Sequence, residues 1–79
     1  MIKILTVPDI QSKYKFLVEY GGKSSWHYKI QNARMKALSI LKEHPGYTVS
    51  IYKVDNVKEV PAGGFVKMTV RSISTLKFQ

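Results

Sequence analysis

Alternating hydrophobic and polar positions predict three β-strands in the first part of the chain. Residues 2–7 are mostly apolar and β-branched, and Pro8 ends the run. A second run, residues 14–20, puts an aromatic residue or Val at every other position, and the alternation resumes over residues 23–30. Gly21 and Gly22 between these runs are typical of a tight turn between antiparallel strands. We therefore expect a strand followed by a β-hairpin.

The register of this hairpin depends on the length of its loop. A two-residue loop pairs Val18 with Ser25 and leaves Trp26 on the opposite face. A three-residue loop that includes Lys23 pairs Val18 with Trp26. A shift of one residue moves every side chain to the other face of the sheet. We expect the three-residue loop, because it unites the aromatic residues on one face.

The helical period appears once, after the hairpin. Asn32 is a suitable N-cap, and His44, Pro45 and Gly46 end the segment, which predicts a helix over about residues 32–44. At 100° per residue one broad apolar stripe forms, which consists of Ala33, Ala37, Leu38, Ile40 and Leu41. This stripe predicts packing across a sheet, and Met35 is expected on the exposed side.

The remaining segments complete a small α+β fold. Residues 47–54 and 65–78 alternate as strands do, and residues 57–60 form an optional short strand after a turn at Asp55 and Asn56. Residues 54–64 are compatible with a hairpin or a loop. The predicted order is β-β-β-α-β-(β)-β in one domain, residues 1–79. Its antiparallel or mixed sheet of four to six strands has one helix packed on one face, with the second face open to solvent.

Charge is the strongest indication of function in this sequence. Lys and Arg number 13 against 5 Asp and Glu, which gives a formal net charge of +8 in 79 residues. An excess of one sign destabilises a compact chain through self-repulsion, so a partner of the opposite sign is expected.

The expected hairpin register places many of these charges on the open sheet face. Lys15 would lie opposite Lys29, an unfavourable pair unless an anion lies between them. An alternative is that the lysines only solvate the face and discourage edge pairing. The candidate binding residues on this platform are Lys13, Lys15, Lys23, His27, Lys29, Tyr52, Lys67 and Arg71.

The sequence lacks the residue patterns of the common catalytic and metal sites. It has no cysteine, its two histidines lie far apart, and its five carboxylates are scattered. Neither Gly-Gly pair is followed by the Lys-Ser/Thr and helix that a phosphate loop requires. We expect a protein that is not an enzyme and that has no cofactor and no metal site.

The leading functional hypothesis is a module that binds the phosphate backbone of nucleic acid with little sequence specificity. Lysine acts as a point charge, and only two arginines are available for bidentate contacts to bases. The alternative is a small protein-binding inhibitor or adaptor, of the kind that viruses and mobile elements use. It would dock on an acidic surface or a nucleic-acid channel of a host complex.

Two further expectations concern assembly and location. A free sheet edge could pair with a second copy of the chain, which would give a homodimer. No apolar run reaches the roughly 20 residues that span a membrane. We therefore expect a soluble, cytoplasmic protein with no membrane partner.

Overall fold

The computed structural model describes residues 2–77, which form one five-stranded sheet and one α-helix. The elements are β1 (Ile2–Pro8), a 3-10 helix (Asp9–Lys13), β2 (Phe16–Tyr20), β3 (Lys23–His27), α1 (Ile30–Glu43), β4 (Thr48–Glu59) and β5 (Phe65–Lys77). The strand order is β1-β5-β4-β2-β3, and every pairing is antiparallel. The predicted small α+β fold with one helix on an antiparallel sheet is confirmed.

The long hairpin of β4 and β5 runs the length of the molecule. Its strands have 12 and 13 residues, and the longest dimension of the molecule is 44 Å. Strand β2, with β3 beyond it, pairs with the first half of β4. Strand β1 instead pairs with the first half of β5, at the other end of the hairpin. The sheet therefore has two halves, one bordered by β2 and β3 and the other by β1.

Helix α1 packs on the half of the sheet that contains β2. Its buried residues are Ala33, Ala37, Ile40 and Leu41. They form one cluster with Val18, Val49 and Ile51 of the sheet. The two alanines keep the helix close to the strands because they add little side-chain volume. The predicted Leu38 is 54% exposed, so the helix contacts the sheet through a narrower stripe than its sequence indicates.

The second face of the sheet is buried too, which corrects the expectation that it is open to solvent. A second cluster lies there, made of Leu17, Tyr52, Val66, Met68 and Val70. Lys3 Nζ lies 2.8 Å from Glu19 Oε1, although two strands separate β1 from β2. The sheet is therefore curled, with this face on the concave side, and its two ends approach each other over the apolar residues between them.

The β2–β3 hairpin has the two-residue loop, so the predicted three-residue loop is wrong. Tyr20 pairs with Lys23 and Val18 with Ser25. Gly21 and Gly22 have φ angles of +50° and +79°, as a type I′ turn requires, and this turn matches the twist of the strands. Because both faces of the sheet have a core, uniting the aromatic residues on one face gives no advantage.

The helix has its N-cap three residues earlier than predicted. Lys29 occupies the N-cap position without a side-chain cap, and Asn32 lies in the first turn. Ile30, expected at the end of a strand, packs against the helix-side cluster. Its burial outweighs the capping preference of Asn32.

Residues 54–64 form the end of a hairpin. Strand β4 continues to Glu59, and residues 60–64 connect it to β5. The turn expected at Asp55 and Asn56 is a bulge, because Val54 pairs with Val70, Asn56 pairs with Thr69, and Asp55 has no partner in the ladder. The optional short strand is thus the last part of β4. Bulges bend a strand, as a curled sheet requires.

Candidate nucleic-acid interface

The helix covers only one half of its face of the sheet, and the other half is exposed. Three cross-strand rows define this half, since directly opposed residues share a face. The first row is Lys53, Arg71 and Ile2, the second is Asn56, Thr69 and Ile4, and the third is Lys58, Lys67 and Thr6. Pro8 and Phe65 form an end row. We call these residues the uncovered sheet face.

Two of the three rows place like charges directly opposite each other. Lys53 faces Arg71, and Lys58 faces Lys67, across the β4–β5 ladder. All four side chains are exposed. Opposed like charges destabilise a sheet, so each pair lowers the stability of the β4–β5 ladder unless an anion lies between its members.

Among residues 2–77, one carboxylate reaches this set of cations. Asp55, the bulge residue, has Oδ2 3.6 Å from Arg71 Nε. Glu59 pairs with Val66, which is buried in the concave cluster, so Glu59 belongs to the other face. Four cations against one carboxylate leave the uncovered sheet face strongly positive.

The second row separates the two cation pairs with uncharged residues. Lys67 and Arg71 are four residues apart on β5, which corresponds to about 13 Å along a strand. Asn56 and Thr69 lie between them, and Ile4, which is 68% exposed, flanks them on β1. The face therefore has positive charge at two positions along the hairpin, with hydrogen-bonding groups between them.

Of the eight residues predicted from the sequence, the structure places two on this face, Lys67 and Arg71. Tyr52 is 5% exposed and belongs to the concave cluster, so it is not available as a surface contact. His27 pairs with Phe16 on the helix side, and its Nε2 lies 2.8 Å from Ser25 Oγ. The predicted platform is therefore not assembled as one surface.

The other four predicted residues are exposed but lie elsewhere. Lys23 follows the hairpin turn, and Lys29 is the N-cap residue of α1. Lys15 belongs to the concave side with Leu17, and its N–H donates to the His27 carbonyl, so it does not face Lys29. Lys13 Nζ lies 5.4 Å from the ring centre of Tyr14.

Aromatic rings gather beside Lys13, on the concave side of the sheet. The centre of the Tyr14 ring lies 4.7 Å from that of Tyr28 and 6.2 Å from that of Trp26. These rings pack against one another, so their faces are partly occupied. The interleaving of aromatic and basic residues in the sequence thus produces a packed cluster with lysine at its border.

Sequence reasoning missed Lys53 and Lys58. Both belong to β4, whose second half is interrupted in the sequence by Asp55 and Asn56. A continuous strand through this segment, paired with β5, would have placed Lys58 opposite Lys67. The length of β5 could have indicated them, because a strand of 13 residues in a hairpin needs a partner strand of similar length.

Two shifted pKa values concern groups outside the uncovered sheet face. Burial, and then the nearby charge of Lys36, lower the pKa of His27 below its ordinary value of 6.5. The hydrogen bond to Glu19 raises the pKa of Lys3, whose Nζ also lies 5.0 Å from the ring centre of Tyr52. The charged form of His27 is therefore disfavoured, whereas that of Lys3 is favoured and is held on the concave side by Glu19.

Comparison with known proteins finds no match: no family model, no curated protein and no solved structure matches the chain. Within residues 2–77, no helix is long and apolar enough to cross a membrane. In the same residues, no group of three His, Asp or Glu is placed to hold a metal ion. Function is therefore inferred from the charge and shape of the surface.

Proposed function

We propose that the protein is a non-enzymatic module that binds nucleic acid through the uncovered sheet face. Lys53, Lys58, Lys67 and Arg71 contact backbone phosphates. The supporting observation is the pair of opposed like charges, Lys53 with Arg71 and Lys58 with Lys67. A phosphate between two opposed cations replaces their repulsion with attraction to both.

The net charge favours the same partner. A formal charge of +8 attracts a polyanion over a longer range than any single contact, and each neutralised phosphate releases counterions. Three of the four cations are lysines, which bind phosphate as point charges and do not read bases in the bidentate way of arginine. We therefore expect modest sequence specificity.

Reversing the charge of one lysine at a time, on β4 or on β5, tests this proposal. Lys58→Glu and Lys67→Glu should each weaken binding to labelled oligonucleotides several-fold in fluorescence anisotropy, regardless of sequence. Lys77→Glu is the matched control, because Lys77 lies on the same strand opposite Thr48, at the helix end of the sheet. If the control weakens binding as much as the other two variants, only the net charge matters and the face is not the site.

One observation favours the second candidate, a protein-binding inhibitor or adaptor. Met35 is 69% exposed and Leu38 is 54% exposed on the outer side of α1. Residues three apart are neighbours on a helix surface, and Lys42 lies one turn beyond Leu38. An apolar strip beside a cation suits an acidic, partly apolar protein surface. A partner captured by wild type and Lys67→Glu, but lost with Leu38→Glu, would support this candidate.

A further inference from the structure

The alternation of charge along the hairpin indicates which form of nucleic acid fits, if the proposed function is correct. The rows of the uncovered sheet face read cation pair, polar pair, cation pair. The cation pairs are about 13 Å apart along β5. The major groove of B-form DNA is about 12 Å wide and admits a two-stranded β-ribbon. The spacing thus matches the two phosphate strands that border this groove.

We propose that the β4–β5 hairpin crosses the major groove of double-stranded DNA. Lys53 and Arg71 contact the phosphates of one strand, and Lys58 and Lys67 contact those of the other. Asn56 and Thr69 then lie over the groove, where amide and hydroxyl groups can bond to base edges. Ile4, in the same row, is placed to contact a thymine methyl group.

The curl of the sheet supports insertion into a groove. Lys3 and Glu19 meet over the opposite face, which is therefore the concave one. The uncovered sheet face lies on the convex side. A convex ribbon enters a groove, whereas a concave one would wrap around a cylinder.

The aromatic residues argue against a single-stranded ligand at this face. Proteins that bind single strands stack successive bases on aromatic side chains. The uncovered sheet face has one aromatic residue, Phe65, at its outer end opposite Pro8. A single ring at the end of the face offers no stack for successive bases.

Three probes of one sequence test this inference: a DNA duplex of about 20 base pairs, one of its single strands, and the corresponding RNA duplex. The A-form RNA duplex has a deep, narrow major groove that this hairpin does not fit. We expect the protein to bind the DNA duplex several-fold more tightly than either of the others. Methylation of guanine N7, which lies in the major groove, should interfere with binding.

Paired variants test the two contact points separately. Lys53→Thr with Arg71→Thr removes one cation pair, and Lys58→Thr with Lys67→Thr removes the other. Each double variant should weaken duplex binding by a similar factor. The control, Lys42→Thr with Lys77→Thr, loses the same charge outside the face and should bind nearly as wild type does. Circular dichroism melts establish that every variant is folded before binding is compared.

The outcomes separate the two proposals. No binding to any probe at about 50 mM salt would overturn the proposed function itself. Equal or tighter binding to the single strand would overturn the duplex assignment, and only that, if the two double variants still weaken binding. If they do not, the proposed function at the uncovered sheet face is overturned too. Equal binding to the RNA duplex, or a loss confined to one cation pair, would overturn the major-groove geometry.

Discussion

In the β2–β3 turn, Gly21 is the residue that should tolerate substitution least. Its φ angle is +50°, and a Cβ there would lie 2.7 Å from Cε2 of Tyr47, whose ring stacks on His44. Gly22 has a φ of +79° but open space around it. A left-handed conformation costs a residue with a Cβ about 1–2 kcal/mol.

We therefore expect Gly22→Ala to lower the free energy of unfolding by that amount and Gly21→Ala to lower it further. Urea denaturation of the two variants measures the difference. Equal losses would mean that the Tyr47 ring moves aside freely.

Met68 belongs to the concave cluster and is fully buried, whereas Met35 is 69% exposed on α1. Met68→Ala should lower the free energy of unfolding by about 2–5 kcal/mol, because it leaves a cavity within the concave cluster. Met35→Ala changes the same atoms at the surface and should stay within about 0.5 kcal/mol of wild type. A small loss for Met68→Ala would contradict the second core.

His27 should make stability depend on pH in a defined direction. Its pKa is lower in the folded protein than the ordinary 6.5, so the unfolded chain binds the proton more readily. The contribution of His27 to the free energy of unfolding is complete above pH 6.5. It is lost as the pH falls from there through the pKa of His27 in the folded protein. In His27→Gln this part of the pH dependence should vanish, which urea midpoints at a series of pH values would show. An unchanged profile would assign the dependence to other groups.

At the scale of the elements, the opposed cations of β4 and β5 predict a conflict between stability and binding. Lys58→Thr removes a like-charge pair and introduces a good strand former, so it should raise the free energy of unfolding by about 0.2–1 kcal/mol. The same change should weaken binding to DNA. Lys77→Thr, at a position opposite Thr48, should change the free energy of unfolding and the affinity for DNA only slightly.

Thermal melts and anisotropy on the same two proteins give both quantities. A lower melting temperature of Lys58→Thr would show that Lys58 stabilises the fold. The opposed like charges of β4 and β5 would then no longer support the proposed function.

The elements themselves are largely predictable from the sequence, but their faces are not. Alternation located most of the strand segments, and the N-cap of the helix lies only three residues before the predicted Asn32, because the partly buried Ile30 packs against the helix-side cluster. The predicted register of β2 and β3 is wrong because the prediction takes only one face of the sheet to be buried. With two cores, Leu17 and Val18 are both buried, and alternation no longer tells which face is inside.

The candidate site shows the same limit. Lys67 and Arg71 were identified from the alternation of β5, whereas their cross-strand neighbours depend on the bulge at Asp55. A bulge inserts one residue and changes every pairing beyond it. Predicting Lys53 and Lys58 as neighbours of Arg71 and Lys67 therefore required the register of a strand pair, which one sequence does not give.

At the scale of the whole molecule, the net positive charge opposes self-association. The sheet has two free edges, β1 and β3, and a homodimer through one of them remains a prediction. Two copies that each have a net charge of +8 repel each other in the absence of a polyanion. Bound DNA would reduce that repulsion, so self-association and binding are expected to rise together.

The most direct test of the central claim is the salt dependence of binding to duplex DNA between about 50 and 200 mM salt. Four phosphate contacts predict a slope of log affinity against log salt of about −3.6. The double variant Lys58→Thr with Lys67→Thr should make the slope less negative by about 1.8. The control, Lys42→Thr with Lys77→Thr, should keep the wild-type slope. An unchanged slope in the first variant, or an equal change in the control, would contradict phosphate binding at the uncovered sheet face.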